Sequence, residues 1–181
     1  MYSIEKATKD GRALVIREAE GKDAGQILAY LAVVSSETEF LTFGPGEFRL
    51  TEAEEVDYLE KCRQAENSIY LLALVEARLV GILNFEGGAR PRTRHTGELG
   101  TSVLRKYWGV GVASALINSL LDWSSRGGII RKINLRVRSD NLRAINLYKR
   151  KGFSVEGTLT KQMFIGGLYY DNLWMGLEVQ A

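Results

Sequence analysis

The sequence predicts one mixed α/β domain, over residues 1–181, in which a mostly antiparallel sheet is flanked by helices. With 181 residues, 45% of them apolar and 25% charged, the chain can form one sizeable core but is short for two domains. Apolar runs of strand length alternate along the chain with runs at helical spacing. Short turn signals between successive strands favour hairpins, so the sheet is expected to be largely antiparallel.

The N-terminal part of the chain predicts a strand, a helix and a loop. The strand covers "ALVIREA" (Ala13–Ala19), an apolar run of strand length. The helix follows where apolar residues recur at helical spacing, at Ile27, Leu28, Leu31 and Val34. The next segment, "ETEFLTFGPGEF", is expected to be a loop because glycine and proline interrupt any regular element there.

A second helix is predicted to begin at Thr51 and to end near Glu66. Thr51 and Glu54 match a capping box, in which each side chain satisfies a free amide of the other residue. Leu59 and Cys62 lie on one face of this helix, so Cys62 is expected to be a core residue and not a nucleophile. Since it is the only cysteine, no intrachain disulfide can form.

The rest of the chain predicts strands alternating with helices, closed by hairpins. "SIYLLALV" and "LVGILNFEG" flank the short turn "EAR" and predict a hairpin. Strand "TGELGTSVL", a helix to about Ser125, strand "KINLRVR" and helix "DNLRAINLYKRKG" follow. Gly166 and Gly167 suit the tight turn of a last hairpin. The predicted order is β-α-α-β-β-β-α-β-α-β-β.

Composition and charge exclude several classes of function. The net charge of +2 is too small to favour nucleic acid or an anionic membrane as the partner. One histidine and one cysteine do not supply a His- or Cys-based metal site. The polar start "MYSIEKATKDG" lacks an apolar signal core, and no run approaches the roughly 18 apolar residues of a membrane span. A cytoplasmic protein is therefore expected.

The segment "RKYWGVGVASALI" places Gly109 and Gly111 immediately before a helical pattern. A dinucleotide fingerprint would need a third glycine where Ser114 stands, and would follow the first strand. An ATP-binding loop would need Gly-Lys-Ser or Gly-Lys-Thr, which the chain lacks. What remains is a strand, a glycine turn and a helix whose first amides and dipole favour an anion, with a plain glycine-rich turn as the alternative.

A second motif follows one strand later, in "LRVRSDNLRAINLYKRKGF" (Leu135–Phe153). Its pattern N-x-x-A-x-x-x-Y-x-x-x-G-F is supplied by Asn141, Ala144, Tyr148, Gly152 and Phe153. Together the two motifs resemble those of the GNAT superfamily, the acyl-CoA-dependent N-acetyltransferases. Trp108 stands where most members carry Gln or Arg, and "YWGVGVA" and the tail "GGLYYDNLWM" are similar to the Rim-like branch, which acetylates ribosomal proteins and other amines.

The resemblance implies acetyl-CoA (coenzyme A) as the cofactor, with its pyrophosphate at the glycine turn. Asn141 and Tyr148 are seven residues apart, so they would share a helix face along which the pantetheine arm could lie, while Leu142 and Ile145 pack against the sheet. The residues expected to contact the cofactor are Val103, Trp108, Gly109, Val110, Gly111, Val112, Ala113, Ser114, Asn141, Ala144 and Tyr148.

The resemblance also implies catalytic roles. Tyr148 is expected to protonate the departing thiolate, which is uphill by about 2 kcal/mol on reference pKa values. Glu98, ten residues before Trp108, is the candidate general base, with a water chain as the alternative, because the rival position on the next strand is Arg136. A backbone N–H near Val103, where members often have a bulge, would stabilise the oxyanion of a tetrahedral intermediate.

The expected activity is acetyl transfer to a primary amine: a protein N-terminus, a polyamine or another small amine. The loop "SSETEFLTFGPGEF" corresponds to the segment that covers the acceptor in this family. A non-catalytic module that binds CoA is the alternative function, and a nicotinamide-binding protein is a third. The protein is expected to be a monomer or a homodimer.

Overall fold

The computed structural model describes residues 2–180, which form eight strands and four helices. The strands are β1 (Ser3–Ala7), β2 (Ala13–Glu18), β3 (Ser68–Val75), β4 (Arg78–Gly87), β5 (Thr96–Val103), β6 (Lys132–Arg138), β7 (Ser154–Ile165) and β8 (Leu168–Glu178). The helices are α1 (Ala24–Glu37), α2 (Glu52–Gln64), α3 (Val112–Gly127) and α4 (Leu142–Arg150).

The mixed α/β fold class is confirmed, and one strand is added to the predicted order. β1 was not predicted because its sequence, "SIEKA", lacks a run of apolar residues, and all but one of its residues are exposed. It is the first strand of the sheet and pairs antiparallel with β2, from Ser3↔Arg17 to Ala7↔Ala13. Its charged residues suit an edge position, where they discourage pairing with another chain.

All eight strands lie in one sheet, in the order β1-β2-β3-β4-β5-β6-β8-β7. Neighbouring strands are antiparallel except β5 and β6, which pair in parallel over only three residues each, Thr96–Glu98 and Lys132–Asn134. Beyond Glu98 no pairing joins β5 to β6 within residues 2–180, so the sheet opens into a gap between these strands. This gap lies in the middle of the sheet.

The two faces of the sheet pack against different helices. Phe85 on β4 contacts Trp123 of α3 at a ring-centroid distance of 6.1 Å, which places α3 on one face. Ser102 on β5 hydrogen-bonds the Tyr30 hydroxyl of α1 at 2.9 Å. Ser102 is paired with Ile82, so their side chains lie on the same face of the sheet. Ile82 is three residues from Phe85 on β4, and side chains alternate between faces along a strand, so α1 lies on the face opposite α3.

Local signals in the sequence are confirmed around α2 and β3. Thr51 and Glu54 form both hydrogen bonds of the capping box. Cys62 is buried in the core, and burial raises the pKa of its thiol to about 12, as befits a structural residue. Glu76 and Ala77 form the two-residue turn between β3 and β4 with φ of 52° and 63°, the left-handed conformation that such hairpins require. None of the helices formed by residues 2–180 is long and apolar enough to cross a membrane.

Candidate active site

The glycine turn connects the end of β5 to α3 on the side where the sheet opens. After a single 3₁₀ turn at Arg105–Tyr107, the backbone passes through Gly109 with φ of 84° and Gly111 with φ of 100°. These left-handed conformations explain why the two positions are glycine. The predicted turn between strand and helix is therefore confirmed, and α3 begins at Val112.

The N-terminus of α3 presents free backbone amides. Gly111 is the N-cap and supplies no side chain, and the first helical hydrogen bond runs from the Ala115 amide to the Gly111 carbonyl at 2.9 Å. The amides of Val112, Ala113 and Ser114 consequently lack partners inside the helix. Together with the helix dipole they form an anion-binding group worth up to about 2 kcal/mol. The Val112 side chain is buried, so its backbone alone is available to a ligand.

Trp108 connects the turn to the end of β5. Its indole Nε1 donates a hydrogen bond to the Val103 carbonyl at 2.6 Å, and the Arg143 guanidinium lies 4.8 Å from the ring centroid. The Arg105 guanidinium is 5.7 Å from the same ring. The polar atom of Trp108 is thus used within the protein, where it ties the turn to Val103.

Val103 lies at the end of β5, without the bulge that the family resemblance implied. The register between β4 and β5 runs without a shift from Gly81↔Val103 to Gly87↔Gly97, so that expectation is wrong. The Leu104 amide donates to the Val80 carbonyl at 2.9 Å, and strand alternation therefore directs the Val103 amide away from β4. It faces the gap, because β6 has already diverged.

Basic side chains line the cleft around the start of α3. The Lys9 amide bonds the Val110 carbonyl at 2.9 Å, which fixes Lys9 beside the glycine turn. The Lys151 ammonium donates to the Asn118 side chain of α3 at 2.7 Å, and burial, followed by the charge of Lys6, lowers its pKa. The full basic set that lines the cleft here is Lys6, Lys9, Arg143, Arg150 and Lys151.

Helix α4 begins directly after Asn141, which corrects part of the prediction. The Asn141 side chain is the N-cap and accepts a hydrogen bond from the Ala144 amide at 3.2 Å. Since Asn141 has ψ of 65° and lies outside the helix, the helical spacing that placed it on one face with Tyr148 does not apply. Leu142 is 67% exposed and does not pack against the sheet, whereas Ile145 is buried as expected.

Tyr148 lines the cleft from α4 and is held by aromatic packing. Its residue exposure is 7%, and its ring meets that of Phe153 edge-on at a centroid distance of 5.8 Å. Burial raises the pKa of its hydroxyl to about 12. Within residues 2–180 no protein group forms a hydrogen bond with this hydroxyl, so it is free for a ligand in the cleft.

Glu98 lies on β5 at the last residue that pairs with β6. Its carboxylate accepts a hydrogen bond from Arg136 Nε at 2.6 Å, and both side chains are partly exposed in the cleft. The contact with Arg136 uses one of the two carboxylate oxygens, Oε1. The single histidine, His95, is exposed in the loop before β5.

The loop between α1 and α2 covers one side of the cleft, as the resemblance implied. Phe40, Phe43 and Phe48 from this loop line it. The buried Arg138 guanidinium stacks on Phe40 at 4.3 Å, donates to the Glu39 carbonyl at 3.1 Å and pairs with Asp140 at 2.7 Å. This arginine therefore fixes the loop against β6.

The cleft has a volume of about 1800 Å³ and runs from the start of α3, through the gap, to α2. The α2 end contains residues that the sequence did not identify as functional: Glu55, Tyr58, Tyr70 and Asn84. A signal was present at Glu55, which precedes Leu59 and Cys62 at helical spacing and so puts a carboxylate in the buried stripe of α2.

Comparison with known proteins agrees with this architecture. The acetyltransferase (GNAT) family profile matches residues 32–153, and the chain belongs to this family. A solved GNAT-family acetyltransferase from Streptococcus pneumoniae superposes with a TM-score of 0.89 at 35% identity, covering 92% of this chain and 99% of that one.

Two curated relatives match over shorter regions. The L-amino acid N-acetyltransferase AaaT of Escherichia coli is 34% identical over 58% of this chain and 65% of its own length. A spermidine N(1)-acetyltransferase of Vibrio cholerae is 41% identical over 36% of this chain and 38% of its own length. The chain thus matches less than two thirds of the length of each of these relatives.

Proposed function

We propose that residues 1–181 act as one acetyl-CoA-dependent N-acetyltransferase domain that transfers an acetyl group directly to a primary amine. One observation carries this proposal. A single cleft contains an anion-binding helix terminus surrounded by basic side chains at one end and carboxylates at the other. Such a cleft suits a polyanionic donor and a cationic acceptor that meet between the two ends.

The residues present fit acetyl-CoA. The free amides of Val112, Ala113 and Ser114, with Lys9 and Arg143 beside them, suit a pyrophosphate. The gap between β5 and β6 is bordered by the edge of β5 beyond Glu98, which β6 does not pair within residues 2–180, and such an edge suits the amide groups of a pantetheine arm. When bound, acetyl-CoA supplies the acetyl thioester.

In the proposed reaction, the amine nitrogen forms a bond with the thioester carbonyl carbon, and the bond from that carbon to sulfur breaks. The Val103 N–H is the proposed donor to the developing oxyanion. The Trp108 indole bonds the carbonyl of the same residue and so limits rotation of the strand end. This is a preorganised donor, because it needs no reorientation during the reaction.

Tyr148 is the proposed general acid for the departing thiolate. Its hydroxyl lines the cleft without a protein partner, and its raised pKa keeps it protonated throughout the neutral range. Glu98 is the proposed general base, assisted by water. Arg136 bonds one oxygen of this carboxylate, and the other oxygen is the proposed proton acceptor.

The proposed acceptors are primary amines, either small molecules or a protein N-terminus. The names of the relatives, an L-amino acid acetyltransferase and a spermidine acetyltransferase, support small amines with different side groups. The assembly is proposed to be a monomer or a homodimer.

Release of free thiol from acetyl-CoA, measured with a panel of amines, tests this function. The proposal predicts amine-dependent release that saturates with both substrates, with one acetylated amine formed per thiol. Tight binding of CoA without release from any amine would favour the non-catalytic CoA-binding module. Stabilisation by NAD and not by CoA would favour a nicotinamide site.

A further inference from the structure

The α2 end of the cleft is enclosed by groups that the reaction proposed above does not use. We define the acceptor pocket as the space bordered by Glu55 and Tyr58 of α2, Tyr70 of β3, Asn84 of β4 and Gly100 of β5. All five residues line the same cleft as the glycine turn. The pocket is therefore continuous with the proposed cofactor site.

Glu55 is a buried carboxylate without a partner. The residue is 2% exposed, and its Oε1 atom forms no hydrogen bond. No ion pair to Glu55 occurs in the part of the chain that the structure describes. Burial of an unpaired carboxylate is costly, so its presence in the apolar stripe of α2 requires a reason. A cationic group of a ligand would supply the missing partner.

Aromatic rings stand beside this carboxylate. The rings of Tyr58 and Tyr70 meet nearly perpendicular, at 80° and a centroid distance of 6.1 Å. Burial raises the pKa of Tyr70 well above its usual value, and Glu55 makes the largest contribution of any neighbouring charge. Tyr70 thus lies close to the Glu55 carboxylate. A carboxylate next to aromatic rings is a favourable site for an ammonium group.

The floor of the pocket leads to the gap in the sheet. Tyr70 pairs with Asn84, and Asn84 pairs with Gly100, so the three residues form a row across β3, β4 and β5. A Cβ atom at Gly100 would lie 2.7 Å from the Asn84 Oδ1 atom. The glycine therefore keeps the row open. Two strand spacings, about 10 Å, separate Tyr70 from the strand that borders the gap.

The charges at this end favour a cation over an anion. Arg136 is paired with Glu98, and Arg138 is paired with Asp140. Both arginines that line this end of the cleft are thus already paired with carboxylates. A carboxylate on the acceptor would have no unpaired arginine to bind at this end, and Glu55 would repel it.

We propose that Glu55 is a specificity-determining residue that binds a second, non-reacting ammonium group of a diamine-type acceptor. This inference rests on the acetyltransferase function proposed above. The distance across the row places Glu55 away from the gap where the thioester would lie. Glu55 therefore recognises the far end of the acceptor, while the near amine is acetylated at the gap.

Glu55→Gln tests this inference with two matched acceptors, butane-1,4-diamine and butylamine. The substitution keeps the shape of the side chain and removes its charge. We expect the KM for the diamine to rise about tenfold to a hundredfold, the range of a charged hydrogen bond. The KM for butylamine and kcat for both amines should stay within about twofold. Asp57→Asn, on the exposed side of the same helix, is the control and should change neither amine.

The outcomes separate this inference from the proposed function. If the wild-type protein releases thiol from acetyl-CoA with no amine of the panel, the proposed function fails. Binding in the acceptor pocket can then still be measured as thermal stabilisation of the protein by the diamine, and Glu55→Gln should abolish this stabilisation. If the wild type acetylates butylamine and Glu55→Gln leaves both KM values unchanged, only this inference fails. Equal loss of kcat with both amines would mean that Glu55 acts on the reacting amine, which also overturns it.

Discussion

Replacement of Tyr148 by Phe tests the proposed proton donor. The hydroxyl has a pKa of about 12, while a thiol has a reference value of about 8.5. Complete proton transfer to a thiolate is therefore uphill by about 5 kcal/mol, more than twice the cost expected from the reference value of tyrosine. Such a donor acts late, as the carbon–sulfur bond breaks. We expect kcat to fall about 100-fold, at the low end for general acid catalysis.

The same substitution should leave binding and folding nearly unchanged. The Tyr148 hydroxyl bonds no protein group among residues 2–180, so its removal leaves no unsatisfied partner, and a Phe ring keeps the contact with Phe153. We expect a KM for acetyl-CoA within about twofold and a melting temperature within about 2 °C of wild type. Thiol release and a thermal melt measure both quantities. An unchanged kcat, or a loss of CoA affinity as large as the loss of kcat, would refute the assignment.

Three further predictions concern the turn and the acceptor pocket. Gly111→Ala should weaken CoA binding by about tenfold in calorimetry, because φ of 100° strains an L-residue. Gly128→Ala, at a left-handed position with φ of 67° at the other end of α3, is the control and should leave binding unchanged. Trp108→Phe removes the 2.6 Å bond to the Val103 carbonyl and should lower kcat/KM for acetyl-CoA about fivefold, and an unchanged value would show that the bond does not position the strand end. Burial raises the pKa of Glu55, so the folded state holds the carboxyl proton more tightly than the unfolded state and loses stability as pH rises above the usual glutamate range. Glu55→Gln should therefore raise the melting temperature at neutral pH, with a smaller difference at acidic pH. A difference that does not depend on pH would contradict this reasoning.

Local patterns in the sequence were sufficient for most of the fold. The capping box at Thr51 and the two glycines before α3 each act within one turn of chain, so their spacing determines their structure. β1 escaped prediction for the opposite reason. It is a polar edge strand without an apolar pattern of its own, and its extended conformation comes from pairing with β2.

The parts of the candidate site that the sequence did not predict depend on contacts between distant segments. The ion pair between Glu98 and Arg136 joins residues 38 positions apart, and only the parallel pairing of β5 with β6 brings them together. Leu142 was expected to pack because it is apolar, but it lies in the first turn of α4 next to the open cleft. The candidate role of Glu55 depends on its closeness to Tyr70, which belongs to another element, β3.

The proposed function requires that the cleft bind coenzyme A between the start of α3 and Tyr148. A crystal structure of the protein soaked with coenzyme A tests it most directly. We expect the pyrophosphate on the amides of Val112 to Ser114, the pantetheine arm in the gap between β5 and β6, and the thiol directed toward the Tyr148 hydroxyl. Coenzyme A bound elsewhere on the protein, or with its pyrophosphate away from the start of α3, would contradict it.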